Sequence, residues 1–334
     1  MIIDCISNYG YFDSPEFVSF SLHTVTAIST PIHFIGLYCI LFKTPKEMKS
    51  VKWYLLILHI WIMLFDYSFG VLIVPFLLLP AIAGFTMGVF QDFGVSMIFQ
   101  AFLFTHIMSC MCMSIISIFE NRFYVVSSFD KNHFWTFWRR PWLAAHYIAF
   151  GLMLYHDAQL VPEQTKELFE EIFRELPCLP EFIYHSPIFV AIHKDYMFAR
   201  VTIFIFMFTF TSEVSFFAVS MARNLMKQLE SKKVSTQTYR MQRSFFNALV
   251  IQISLPMVFV VIPLTGVLFL RYTNIYNQAM TNSCLIAIGA HGLSSTTIML
   301  IAHRPYRQTV LSWLKWRDGI SRSRVKVSVT PLPI

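Results

Sequence analysis

Apolar residues in this chain come in long unbroken runs rather than in alternation. From Phe93 to Phe119, 27 residues pass without an Asp, Glu, Lys or Arg. Similar runs recur, and the pattern predicts seven apolar helices at about 17–42, 53–79, 94–119, 141–161, 197–221, 245–270 and 281–302. Each meets the roughly 20 residues that carry a helix across about 30 Å of hydrocarbon. The fourth is the least marked, since only Pro141 to His156 is free of formal charge. A strand barrel would need alternating segments of about ten residues. Helices satisfy their backbone groups internally, as a bilayer demands.

Two connections also carry helical periodicity. In "PEQTKELFEEIFRELP", residues Leu168, Phe169, Ile172, Phe173 and Leu176 recur at helical spacing. Pro162 suits a first turn, and Pro177 blocks continuation. A short amphipathic helix is expected there, either as a ligand lid or as a helix resting on the bundle rim. The basic stretch 222–244 is expected to extend two helices, with a turn near Ser235 to Thr238. After 303, Val310, Leu311, Trp313, Leu314 and Trp316 sit among basic residues, which predicts a helix lying flat at the membrane interface.

Composition agrees with lipid as part of the solvent. Of 334 residues, 56% are hydrophobic and 13% charged, against about 25% charged in ordinary soluble domains. The expected fold class is an all-α membrane protein, a seven-transmembrane helix bundle. Its expected division is an extracellular N-terminus at 1–16, one helical domain at 17–302 and a cytoplasmic helix and tail at 303–334. The first 16 residues hold Asp4, Asp13 and Glu16 and no Lys or Arg. A cleaved signal would begin with a basic region, so the first span is expected to act as an anchor.

Charge sets the expected orientation. Residues 43–52, 122–140, 222–244 and the tail from 303 hold 21 of the 26 basic residues. Basic residues accumulate in cytoplasmic loops, so the N-terminus is expected outside and the tail inside. The net charge of +7 then reflects topology and attraction to anionic lipid, not nucleic-acid binding.

Candidate chemistry is sparse. His23 and His33 stand ten apart and His291 and His303 twelve apart, which does not suit ligands on one helix face. No enzyme activity, metal or other cofactor is expected. Formal charges inside the spans are Asp66, Arg200 and Glu213. Each is costly there and calls for a partner or a water-filled site. Asp66 suits either an ion- or proton-holding role or a static interhelical hydrogen bond. Cys39, Cys110, Cys112 and Cys284 read as apolar packers. Cys5 and Cys178 both fall on the outer side, where a disulfide between them is expected against two free thiols. Pro31, Pro75, Pro256 and Pro263 fall inside spans, where each removes a backbone bond.

The charge-free third run ends in Glu120, Asn121 and Arg122. A Glu and an Arg in this place can hold each other in one packing and part in another, which suits a two-state switch. The plain alternative is a charged anchor at a span end.

The chain resembles the nematode serpentine receptors of class H, a family of G-protein-coupled chemoreceptors. The residues that carry the resemblance are "SPEFVSFSLHTVTAISTPIHFIGLYCILFKTPKEMKSVKWYLL" at 14–56, "FENRF" at 119–123, "LPCLPEF" at 176–182 and "HRPYR" at 303–307. It implies a chemosensory role in the plasma membrane of sensory neurons, in the cilium, with coupling to a heterotrimeric G protein. Glu120, Asn121 and Arg122 match the place of the Asp-Arg-Tyr switch of rhodopsin-like receptors, in a different order. Pro305, Tyr306 and Arg307 stand at the inner end of the last span, where the Asn-Pro-x-x-Tyr of those receptors is missing. With Arg240 and Arg243 of the third inner loop, these residues are expected to face the G protein. A small-molecule ligand is expected among the outer halves of spans three, five, six and seven, near Gln100, Phe102, His106, Arg200, Phe204, Met207, Pro263 and His291. The alternative is a seven-span ligand-gated channel or transporter, whose cytosolic N-terminus the loop charges oppose.

Overall fold

The computed structural model describes residues 9–45, 48–127, 133–176, 179–192, 197–231 and 235–313. Among the described residues seven long helical spans form the bundle. They are Pro15–Phe42, Lys49–Tyr67, Met97–Ser127, His133–Gln159, Met197–Glu230, Thr236–Thr273, and the pair Gln278–Gly289 and His291–Ala302. The last pair makes one span with a break at Ala290. Six of the seven are long and apolar enough to cross a membrane. The fourth is the exception in composition. Its 27 residues still reach about 40 Å at 1.5 Å per residue.

Local chemistry sets several boundaries. The Ser14 hydroxyl accepts from the Phe17 N–H at 3.1 Å and caps the first span, with Pro15 in its opening turn. Ser235 caps the sixth span through the Thr238 N–H, also at 3.1 Å. Ser235 to Thr238 therefore form a helix start and not the turn expected there. Both spans extend beyond the membrane-length runs, as the basic stretch predicts.

The second span departs most from expectation. Its α-helix ends at Tyr67 and continues as one π-helical segment, Ser68–Ile73. Val74 then turns to a φ of 44°, and Pro75 opens strand β1, Pro75–Leu77. The apolar residues up to 79 are not helix. Strand β1 pairs antiparallel with β2, Ile82–Thr86, which pairs antiparallel with β3, Phe189–Ile192. Pro75 and Pro80 lack the N–H groups that would continue a helix. Apolar length by itself does not distinguish a buried strand from a helix. Gly84 lets the strands close: a Cβ there would collide with the Phe76 carbonyl.

This sheet and the amphipathic helix cover one end of the bundle, the mouth end. The helix runs Lys166–Glu175 and buries Leu168 and Ile172. Its N-cap is Thr165, whose hydroxyl accepts from the Leu168 N–H at 3.3 Å, so Pro162 stands before the helix rather than in its first turn. Gln164 bonds the backbone of Val190 in both directions, at 2.9 and 3.1 Å, and fastens the helix to β3. Apolar side chains of the sheet, this helix and the first two spans share one core with Phe65, Phe69 and Leu22.

A second core fills the other half of the bundle, toward the tail. It joins Ile40, Leu55, Met113, Ile116, Leu249 and Tyr306. Residues 304–313 form a helix after the last span. Tyr306 roots it in the core, while Leu311 and Trp313 stay exposed. The outward surface of the bundle is also apolar, with Phe20, Phe34, Phe204, Phe208 and Ile262 exposed. Water would penalise such a surface, and hydrocarbon would not.

Candidate functional site

The third span continues two turns beyond its charge-free run, so Glu120, Asn121 and Arg122 lie within a helix. All three are buried, at 5%, 5% and 8% exposure. Burial of charge at this depth requires specific partners. Both Glu120 carboxylate oxygens turn to the fourth span. Oε1 accepts from Trp135 Nε1 at 3.0 Å, and Oε2 accepts from Arg139 Nη2 at 2.8 Å. Arg139 also stacks over Tyr124, 3.9 Å from the ring centroid.

Arg122 turns the other way. Its guanidinium lies 4.0 Å from the Phe245 ring centroid on the sixth span. Its Nε and Nη2 are buried and find no hydrogen-bond partner among the described residues. The structure thus does not join Glu120 to Arg122 as an ion pair. It sends them to different helices.

Phe245 leads on to the last span. Its ring lies 5.4 Å from that of His303, and His303 lies 5.4 Å from Tyr306. His303 Nε2 bonds Gln252 Oε1 at 2.8 Å. Burial, and secondly the positive charge of Arg122, push the His303 imidazole down to about 4. It is therefore neutral at pH 7. Tyr306 bonds Thr44 through its hydroxyl at 2.8 Å, and burial pushes that hydroxyl up to about 12. Arg122, Phe245, His303, Tyr306 and Thr44 form one continuous line across spans three, six and seven to the first connection. Pro305 lies in the first turn of the helix at 304–313, where the Tyr306 N–H donates to the His303 carbonyl at 3.0 Å. Arg307 is exposed and donates to the Ile301 carbonyl at 3.2 Å. Arg240 and Arg243 are exposed on the sixth span.

A second polar set lies in the middle of the bundle. Asp66 Oδ2 bonds His33 Nε2 at 2.8 Å, and His33 Nδ1 bonds Thr296 Oγ1 at 2.9 Å. His59 Nε2 donates to the His33 carbonyl at 3.0 Å. Spans one, two and seven are thereby tied through His33. Glycines make the room: a Cβ at Gly292 would collide with Asp66, and one at Gly36 would meet His59 at 2.9 Å. Glu213 likewise has a histidine partner, with Oε1 at 2.8 Å from His146 Nε2. The intramembrane carboxylates signalled polar sites in the sequence, and their partners were invisible because they lie on other helices.

The described residues expected around a ligand make mostly separate contacts. Gln100 folds back on its own segment and donates to the Val95 carbonyl at 2.8 Å. Phe102 and His106 stack on each other, 6.2 Å between ring centroids. Phe204 faces outward with 67% exposure, and Met207 is also exposed. Pro263 is buried in the sixth span. His291 is sealed in the core at 2% exposure, beside a void of about 10 Å³ that is no larger than a water site. The side chain of Arg200 lies outside the described residues, as do Cys5 and Cys178. A cleft of about 510 Å³ instead opens at the mouth end between Glu16, His23, Phe85 and Phe182. The sequence did not point to it, because the sheet that supplies one wall was not foreseen.

Comparison with known proteins adds an independent finding. The family described as "Serpentine type 7TM GPCR chemoreceptor Srh" matches residues 13–316. Serpentine receptor class H-72 of Caenorhabditis elegans is 26% identical over 336 aligned positions. That alignment covers 95% of this chain and 91% of the relative.

Proposed function

The chain belongs to the Srh family of serpentine seven-transmembrane GPCR chemoreceptors, and from that premise we propose that it binds an extracellular small molecule and activates a heterotrimeric G protein. It sits in the plasma membrane, in the cilium of chemosensory neurons, with its N-terminus outside. The ligand is a volatile or water-soluble chemical cue. It enters from the mouth end, where the 166–175 helix and the sheet frame the approach.

The observation that supports this reading most directly is the division of Glu120 and Arg122. Glu120 is anchored to the fourth span by Arg139, and Arg122 is held over Phe245 of the sixth. Arg122 is therefore tied to the sixth span by a ring contact rather than by a salt bridge, and such contacts contribute only about 0.5–2 kcal/mol. A ligand that prefers an outward sixth span tenfold supplies about 1.4 kcal/mol. That is enough to compete with the contact. Displacement of Phe245 would free Arg122 to join the already exposed Arg240 and Arg243 in meeting a G protein.

The test is ligand-dependent G-protein activation in cells expressing the chain, read by energy transfer between labelled G-protein subunits across a panel of chemical cues. An agonist response from the natural chain that is lost in Arg122→Ala, at equal surface expression, supports the reading. A full response from Arg122→Ala would remove Arg122 from the switch. A tag on the N-terminus, probed on unpermeabilised cells, checks the orientation separately.

A further inference from the structure

A cavity of about 650 Å³ opens at the tail end between the sixth span and the helix at 304–313. Four arginines line it: Arg240, Arg243, Arg304 and Arg307. They form two pairs at a spacing of three. That spacing puts both members of a pair on one helix face, so the two faces confront each other across the cavity. The lining includes no Asp or Glu among the described residues. None of the four arginines is ion-paired among the described residues. Arg307 spends one N–H on the Ile301 carbonyl, and all four guanidinium groups belong to exposed residues.

The bias of basic residues toward this end explains why arginines are here. It does not explain why four of them face one volume with no counter-charge among the described residues, where they repel one another. An anion in the cavity relieves that repulsion. The other lining residues define its shape. Ser244, Asn247 and Tyr239 add neutral hydrogen-bonding groups beside the arginines. Ile251 and Ala302 lie further toward the membrane and make the inner wall apolar. The cavity therefore has an anion-binding mouth and a greasy side.

We propose that this cavity binds a membrane lipid whose headgroup carries phosphomonoesters, a phosphoinositide, with its acyl chains along Ile251 and Ala302. The guanidinium fork matches a phosphate dianion through two parallel hydrogen bonds. Four forks exceed what the single net charge of phosphatidylserine can use. The bound headgroup bridges the sixth span to the tail helix, the two elements that the Phe245, His303 and Tyr306 line also joins. The physiological site rests on the reading above that the tail end meets the inner leaflet. Binding itself does not.

The experiment uses the full chain in phosphatidylcholine nanodiscs, with both faces accessible. Nanodiscs are doped with phosphatidylinositol bisphosphate or, at equal total charge, with phosphatidylserine, and retained lipid is counted by native mass spectrometry. Soluble inositol trisphosphate is the competitor. The expected result is preferential retention of the phosphoinositide, about tenfold weaker in Arg240→Gln with Arg304→Gln. Ser244→Glu, which adds a repelling carboxylate and leaves every arginine in place, is expected to produce the same loss. Arg174→Gln, at the mouth end, is expected to leave retention unchanged. Equal retention of phosphatidylserine, or unaltered retention in both cavity variants, overturns the proposal. Full displacement by the soluble trisphosphate overturns the lipid as the source of the phosphate. No agonist or G protein enters the measurement, so failure of the receptor reading leaves this result readable.

Discussion

The Arg122 guanidinium lies 4.0 Å from the ring centroid of Phe245, and this contact joins the third span to the sixth. An aromatic ring holds a cation by its quadrupole and gives it no hydrogen bond. Two buried Arg122 nitrogens therefore keep unused donors among the described residues. Their cost is offset by packing in this conformation and would be relieved by an acceptor.

Phe245→Leu keeps the position apolar and removes the ring. The contact it deletes stabilises the present packing by about 0.5–2 kcal/mol. Ligand-independent G-protein activation is expected to rise by about 2- to 30-fold. Basal activity equal to that of the natural chain would show that the ring does not restrain Arg122.

Glu120 and Arg139 should behave unequally when each is replaced. Glu120→Gln keeps an acceptor for Trp135 and loses the charge pair, for an expected loss of about 1–3 kcal/mol. Arg139→Ala leaves the Glu120 carboxylate buried without its cation and is expected to cost more, about 3–5 kcal/mol. Thermal unfolding midpoints in detergent rank the two. The reverse order would mean that Trp135 carries most of the stabilisation.

Two glycines give a steric contrast. Gly292→Ala drives a Cβ into Asp66 and disturbs the bond to His33, with an expected loss of about 1–3 kcal/mol. Gly151 has nothing within 4 Å of its Cβ position and lies within the fourth helix. Gly151→Ala is expected to be neutral or stabilising by up to about 1 kcal/mol. Equal midpoints for the two variants would contradict the packing described around Asp66.

Acid should weaken the tail-end core through His303. Its folded value lies near 4, below the unfolded value of about 6.5. Between these values the unfolded chain takes up a proton that the folded chain refuses. The stability is complete above about 6.5 and falls as the pH drops toward 4, by on the order of 3 kcal/mol in total. His303→Gln should flatten this part of the profile of unfolding midpoint against pH. A profile of unchanged slope would show that other groups carry the acid sensitivity.

Much of this architecture was legible in the order of residues. Unbroken apolar length set the number of spans. The caps by Ser14, Thr165 and Ser235 are just as local, yet the helix starts expected at Pro162 and after Thr238 missed two of them. The basic loops, the amphipathic helix before Pro177 and the helix after 303 were equally local, whereas the rooting of Tyr306 in the core was not. Hydropathy failed at 74–79, where the expected helix gives way to a strand. Both a strand and a helix can be buried on all sides, and the choice depends on what pairs with them.

The sequence alone determined that lipid must be part of this chain's solvent and that charge must gather at one end of its helices. Those properties follow from sums over neighbouring side chains. Tertiary structure alone decided that Glu120 turns to Arg139, that Arg122 turns to Phe245 and that Asp66 meets His33. Each of these pairings joins different helices, and their relative rotation is fixed only when the whole bundle packs.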